Sequence, residues 1–428
     1  MSFLADLLSG LLDRRRGAPS QGLGVEDGRT PAELAGALMR APGEDMQRQL
    51  AAALLDRYAA LGRDEKRELF VRLARDMDVD PPAVRVALAA YEARPGKATY
   101  RAFAAAAEPP RQELIRRVNR VTDATGRIVG IREDLLSLIC EDCEDADILR
   151  ALDEDVRHLL SSWFNRGFLV LRPITWETPA ALLEKIIAYE AVHDIAGWRD
   201  LRGRLQPPDR RCFAFFHPAM PDEPLIFVEV ALTVGIPASV QRILAEGREP
   251  IAADAADTAC FYSISNCQPG LAGISFGNSL IKQVVADLQV ALPELRTFVT
   301  LSPIPGLARW AKAEGHEDRL LDPEAARRLA ARYLLEAKHP SGAPLDPVAR
   351  FHLGNGARLH AVHADADTSE RGRRQSGGAM VNYLYDLPEI ARNHARFAEA
   401  GVVAAAPAVR ALAAPHGAGM RRQTEDAG

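Results

Sequence analysis

The hydrophobic period changes once along this 428-residue chain, near residue 167, and that change constrains its architecture more than any other feature. From about residue 30 to 165, apolar residues recur every three or four positions, the spacing of a buried helix face. "TPAELAGALMRAPGEDMQRQLAAALLDRYAAL" carries it, with Thr30 as a cap and Pro31 in the first turn. "DEKRELFVRLARDM" repeats it with Asp64 as the expected N-cap, and "DPPAVRVALAAYEA" starts on Asp80 and two prolines. "PPRQELIRRVNRV", "REDLLSLICEDCED" and "ADILRALDEDVRHLLSSWFNRGF" follow, with no strand-like run between them. The pattern predicts an all-helical bundle over residues 1–163, serving packing and self-association, with no convergent set of catalytic residue types.

Past residue 167 the pattern alternates. "GFLVLRPITW", "RCFAFFHP", "PLIFVEVALTV", "TACFYSIS" and "RTFVTLSP" read as strands, the second and third joined by a turn-like "AMPDE". "PAALLEKIIAYEAV", "ASVQRILAEG", "GNSLIKQVVADLQVAL" and "EAARRLAARYLLEAKH" read as helices. Such alternation predicts an α/β domain over residues 164–414, so the whole is an α+β multidomain chain. From residue 350 the segment reads as part strand and part loop, and residues 415–428 as a polar, disordered tail.

Composition narrows the function classes. Hydrophobic residues make up 47% of the chain, enough for a real core. A net charge of −5 without a long basic stretch argues against nucleic acid as a partner. No apolar run is long enough to span a bilayer, which argues against a membrane partner. In "MSFLADLLSGLLDRRRGAPS" the apolar residues precede the arginines, the wrong order for a secretory signal, and Asp6 and Asp13 argue against a mitochondrial targeting helix. Five cysteines are few and odd in number, which predicts reduced thiols and a cytoplasmic compartment. Cys140 and Cys143 form a lone CxxC with only acids nearby, so no zinc site is expected there.

Two short stretches invite chemistry. In "TFVTLSPIPGLARW" a strand-like run ends on Ser302, and Pro303, Pro305 and Gly306 stiffen the exit. This is either a rigid turn or a serine held still for catalysis. In "FYSISNCQPGLAGISFGNSLIKQVVADLQ" a strand ends near Ser265, a loop with Gly270, Gly273 and Gly277 follows, and a helix begins about Asn278. Bare backbone N–H groups and the helix dipole there suit an anion such as pyrophosphate, although glycine-rich turns also occur without one. The spacing matches neither the Rossmann fingerprint nor a P-loop. The arrangement resembles the coenzyme A site of the GNAT acyltransferase fold, whose Q/R-x-x-G-x-G/A loop is loosely matched by Gln268, Gly270 and Gly273.

Taken together, "FYSIS", "GLAGISFGNSLIKQVV", "LSPIPG", "DPVARFHLGNGA" and "ADTSERGRRQSGGAMVNYLY" resemble the malonyl-CoA decarboxylase family, in the family's order and over roughly residues 163–390. The resemblance implies a helical oligomerisation domain followed by a GNAT-like catalytic domain. It also implies a homo-oligomer, a tetramer built as a dimer of dimers, that acts on malonyl-CoA to give acetyl-CoA. Ser302 and His352 fall on the family's catalytic serine and histidine, and Tyr385 on its tyrosine, with Asn382 and Tyr383 beside it. Ser265, Gln268, Gly270, Gly273, Gly277, Asn278, Pro303 and Asn382 are the expected substrate and coenzyme A contacts. Some members carry a glutamate in "GVELG"; here "GISFG" puts Ser275 in that place as a further catalytic candidate, and a mechanism needing that carboxylate is not expected to carry over to this chain.

The chemistry asks for three things. The carboxylate must stand out of the thioester plane, charge developing on the thioester oxygen must be stabilised, and the resulting carbon must be protonated. Neither a metal nor a separate cofactor is required. A serine on a rigid turn and a histidine suit those tasks. Other residues have quieter readings: His352 between Phe351 and Leu353 as a core histidine, and His217 as a turn residue. His360, His363, Asp365 and Asp367 read as a metal cluster or as loop caps, and Arg371, Arg373 and Arg374 as phosphate contacts or a solvated loop. The competing functions are a GNAT-fold acyltransferase, a thioester hydrolase and a non-catalytic coenzyme A-binding protein; the hydrolase would lack a G-x-S-x-G elbow around Ser302.

Overall fold

The computed structural model describes residues 28–140, 144–274 and 280–414. Cys143, Ser275, Gly277, Asn278 and the tail from residue 415 therefore lie outside the described residues. Contacts divide the chain into two compact units. The first gathers the residues up to Val170 together with Phe216–Pro224 and the loop that starts at Gln268; the second holds the rest. The units are thus interleaved along the sequence.

The first unit is helical: α1 (Pro31–Arg40), α2 (Glu44–Ala59), α3 (Arg63–Asp76), α4 (Pro81–Ala93), α5 (Lys97–Ala107), α6 (Pro110–Val118), α7 (Ala124–Leu138) and α8 (Ala146–Trp163). Thr30 caps α1 in a reciprocal box with Glu33: the Glu33 N–H donates to the Thr30 hydroxyl at 3.3 Å, and the Thr30 N–H donates to the Glu33 carboxylate at 2.8 Å. The long period of the sequence breaks at Ala41–Gly43, where Pro42 cannot continue a helix. Asp64 is not the cap of α3: Gly62 takes that place and its N–H donates to Glu65, leaving Asp64 in the first turn. The amphipathic face of α8 buries Leu149, Leu152, Val156, Leu159 and Leu160. Each contributes about 1.5–3 kcal/mol, and Leu160→Ala would cost about 2–5 kcal/mol. Cys140 is disulfide-bonded, a correction to the fully reduced set expected from cysteine number alone. Cys212, Cys260 and Cys267 are buried thiols outside any disulfide.

The second unit is built on a mixed sheet. Its strands are β1 (Val170–Ile174), β2 (Arg210–His217), β3 (Met220–Thr233), β4 (Thr258–Asn266), β5 (Thr297–Thr300), β6 (Ser302–Pro303), β7 (Arg358–His363) and β8 (Met380–Leu384). The order is β1-β2-β3-β4-β5-β8-β6, with β7 also paired to β8. The turn between β2 and β3 is shorter than "AMPDE", because Met220 already belongs to β3. β3 and β4 run antiparallel, with a bulge at Glu229/Val230. β4 and β5 run parallel, and only Thr258–Phe261 and Thr297–Thr300 pair. Beyond Phe261 the two strands part, since β4 continues to Asn266 while the other chain turns into β6. A parallel pair that opens between the antiparallel pairs β3–β4 and β5–β8 is the arrangement expected of a GNAT-like domain. α9 (Ala180–Tyr189), α10 (Trp198–Leu205), α11 (Val240–Leu244), α12 (Leu280–Ala291), α13 (Leu307–Ala313), α14 (Pro323–Glu336), α15 (Pro347–Gly354), α16 (Glu370–Ser376), α17 (Ile390–Ala400) and α18 (Pro407–Ala413) complete the unit. No helix among the described residues is long and apolar enough to cross a membrane.

Candidate active site

Ser302 stands where β5 gives way to β6, and its backbone pairs with Val381. The exit turn is pinned from outside. Gly306 N–H donates to Asp346, and a Cβ at Gly306 would sit 2.1 Å from the Tyr333 hydroxyl, so only glycine fits. Asp346 also caps α15 by accepting from the Ala349 N–H at 2.9 Å, with Pro347 in the first turn. This Asp-Pro start places His352 on a helix, a correction to the strand-and-loop reading of the segment from residue 350. One carboxylate thereby ties the serine turn to the histidine helix.

The two residues meet: Ser302 Oγ lies 3.2 Å from His352 Nε2. Ser302 Oγ is also 2.8 Å from Thr300 Oγ1, and His352 Nδ1 is 2.9 Å from the Tyr385 hydroxyl. The result is a hydrogen-bonded chain, Thr300–Ser302–His352–Tyr385. Thr300 is 0% exposed, Tyr385 2%, His352 3% and Ser302 6%, so the whole chain of groups is buried. The His352 ring stacks on Tyr383 at 4.5 Å and 26° and meets Phe351 edge-on at 5.0 Å. Burial alone pushes the His352 pKa down to about 3, so the imidazole is neutral near neutral pH. Burial also drives the Tyr385 phenol well above its ordinary value, so it stays protonated. Neutral groups of this kind donate and pass protons through hydrogen bonds without carrying a fixed charge.

The other expected residues take varied positions. Pro303 pairs with Met380 beside Ser302. Asn382 is wholly buried, its amide donating to the carbonyls of Thr300 at 2.8 Å and Pro237 at 3.3 Å. Ser265, the penultimate residue of β4, is also wholly buried, with Ser263 at 3.3 Å. Both hydroxyls donate to Glu190, which also accepts from the N–H groups of Val192 and His193. Glu190 was missed in the sequence because its partners on β4 are more than 70 residues away.

In the first unit, the Gln268 amide donates to the Pro224 carbonyl at 3.0 Å. A Cβ on Gly270 would lie 1.9 Å from the Val129 carbonyl oxygen on α7. Arg132, 2% exposed, donates to the carbonyls of Gly270 and Ala272 at 2.8 Å each and pairs with Asp153 at 2.7 Å. Gly273 lies in open space with φ +73°, a left-handed turn that favours glycine.

Among the described residues no three His, Cys, Asp or Glu side chains gather where they would hold a metal ion. Of the loop acids, Asp367 accepts from the Ser369 N–H and Gln241, and Asp365 pairs with Arg373 at 3.7 Å. Arg371 and Arg374 pair with Asp194 and Glu370. His217 accepts from the Ala219 N–H at 3.1 Å, a turn role.

The fold and this buried Ser–His–Tyr chain define an α+β enzyme built on a mixed sheet. The malonyl-CoA decarboxylase N-terminal domain model matches residues 77–164, and the malonyl-CoA decarboxylase C-terminal domain model matches 167–327 and 319–424. The chain belongs to the malonyl-CoA decarboxylase family. The mitochondrial malonyl-CoA decarboxylase of goose, Anser anser anser, is 36% identical over 336 residues, 68% of this chain and 66% of its own length. The mouse protein is 34% identical, and the match covers 67% of each chain. The match thus spans about two thirds of these vertebrate relatives. The crystal structure of malonyl-CoA decarboxylase from Rhodopseudomonas palustris is 48% identical with a TM-score of 0.84, covering 89% of this chain and 98% of that one. That from Agrobacterium vitis is 47% identical, also at 0.84, covering 90% and 100%.

Proposed function

We propose that this chain converts malonyl-CoA to acetyl-CoA and CO2, with Ser302, His352 and Tyr385 as its reacting chain. The observation that carries this is the buried contact of Ser302 with His352, backed by Tyr385, in a chain of this family. Breaking the C–C bond leaves its electron pair on the thioester enolate and releases CO2. Ser302 delivers a proton to the enolate carbon and takes one back from His352 Nε2, His352 Nδ1 takes one from the Tyr385 hydroxyl, and the tyrosine regains its proton from solvent, so each turnover takes up one proton. A neutral histidine fits a relay, which gives and takes one proton at its two nitrogens in turn. The enolate is delocalised by the thioester itself, so the reaction calls for no metal and no cofactor beyond the coenzyme A of the substrate. Family membership favours this reading over the acyltransferase, the hydrolase and the non-catalytic binder.

The same proposal takes in a homo-oligomer, a tetramer in the family's manner, and cytoplasmic residence, which fractionation of the producing cells tests. The mechanistic test is Ser302→Ala and His352→Gln, assayed for turnover and for acetyl-CoA affinity. Each should lower kcat on the order of 100-fold or more with affinity within about twofold. Wild-type turnover in either variant would sink the assignment.

A further inference from the structure

The strand that presents Ser302 is not held by an ordinary ladder. Val299 pairs with Leu384, and Ser302 pairs with Val381. Between them Thr300 and Leu301 face Tyr383 and Asn382, and there the backbone bond from the Tyr383 N–H to the Thr300 carbonyl is replaced. The Tyr383 N–H donates to the Thr300 hydroxyl at 3.2 Å. The Thr300 carbonyl accepts instead from the Asn382 side chain at 2.8 Å. Leu301 turns its N–H away to Phe261 on β4, at 3.0 Å. A carbonyl stripped of its strand partner in this buried setting would cost about 1–3 kcal/mol if left unmade, so the Asn382 amide supplies the missing bond.

The amide has one workable orientation. Its Nδ2 must face the carbonyls of Thr300 and Pro237, which only accept. Its Oδ1 then faces His363 Nε2, which is hydrogen-bonded to it. An amide oxygen only accepts, so His363 carries its proton on Nε2 and donates. His363 ends β7, opposite Met380, and is partly buried. The connection runs from His363 through Asn382 to Thr300, whose hydroxyl is the neighbour of Ser302 Oγ.

We propose that Asn382 and His363 are positioning residues for Ser302. The amide replaces a strand bond where β5 yields to β6, and the imidazole fixes which way the amide faces. This differs from the substrate contact that the sequence suggested for Asn382, because both ends of its side chain are already engaged within the protein. The inference rests on the catalytic reading of Ser302. It implies that loss of the His363 donor blurs the placement of a reacting hydroxyl without touching the site that recognises the thioester.

The test uses the full chain and malonyl-CoA. His363→Phe keeps the ring's bulk and removes the donor; His363→Gln restores a side-chain N–H. His363→Phe should lower kcat about tenfold or more with KM within about twofold, and His363→Gln should recover most of the loss. Should His363→Phe fail to fold, His363→Ala with and without added imidazole makes the same comparison, and imidazole should raise kcat. Wild-type kcat in the donor-free variant, a loss confined to KM, or a His363→Gln as impaired as His363→Phe would overturn the proposal. Ser302→Ala in the same assay separates the two layers. If it retains turnover, the catalytic reading falls; if it is inactive while His363→Phe is normal, only the positioning role falls.

Discussion

His352 and Tyr383 bear on each other at the residue scale, and each yields a measurable consequence. The His352 pKa is lowered by burial from the ordinary histidine value of 6.5 to about 3. Between those values the unfolded chain binds a proton that the folded chain refuses, so stability falls as pH drops from about 6.5 toward 3 and is unaffected above. The slope from this one group is about 1.4 kcal/mol per pH unit. Urea unfolding at pH 7, 6 and 5 should show this slope reduced in His352→Gln relative to wild type; identical slopes would contradict a neutral buried imidazole. For the same reason kcat should show no break near pH 6.5 that disappears with His352. Tyr383 offers its ring to His352, but its hydroxyl is buried without a partner. Tyr383→Phe should therefore keep turnover within about twofold and leave stability unchanged or raised by about 1 kcal/mol, read by denaturant midpoint. A strong loss of activity would show that the hydroxyl meets the substrate.

At the scale of elements, the glycine loop after β4 shows what a sequence can and cannot disclose. Its glycines were legible, and the dipole argument suggested an anion. Gly270, however, is also required because α7 comes within contact of it, at Val129. That close approach joins residues about 140 apart, and no local pattern encodes it. Gly270→Ala should cost about 1–3 kcal/mol or more through overpacking against backbone. Gly273→Ala faces open space and carries only the left-handed penalty of about 1–2 kcal/mol. Equal midpoints for the two variants and wild type would contradict this packing. The two halves of the fold were readable because hydrophobic period reports burial directly, and Ser302, His352 and Tyr385 were readable through family-like strings. The helical setting of His352 is encoded locally by Asp346-Pro347, a helix start of the same kind as Asp80-Pro81. Arg132, Glu190 and His363 were not readable as partners, since each works through contacts set by tertiary structure.

At the scale of the whole molecule, α4 and α5 stand out within the helical unit. Neither has a buried residue, yet Val86 is 71% exposed and Tyr100 56%. Large apolar side chains left in water on paired helices suit a second copy of the chain. The full chain should sediment as an oligomer, and Val86→Asp combined with Tyr100→Asp should shift it to a smaller species; a monomeric wild type would remove the self-association role. Purified full-length chain is mixed with malonyl-CoA, with no acceptor added, and acetyl-CoA is followed by chromatography alongside released CO2. Equimolar acetyl-CoA and CO2 are the predicted result. Free thiol with malonate, or intact malonyl-CoA after prolonged incubation, would contradict the account.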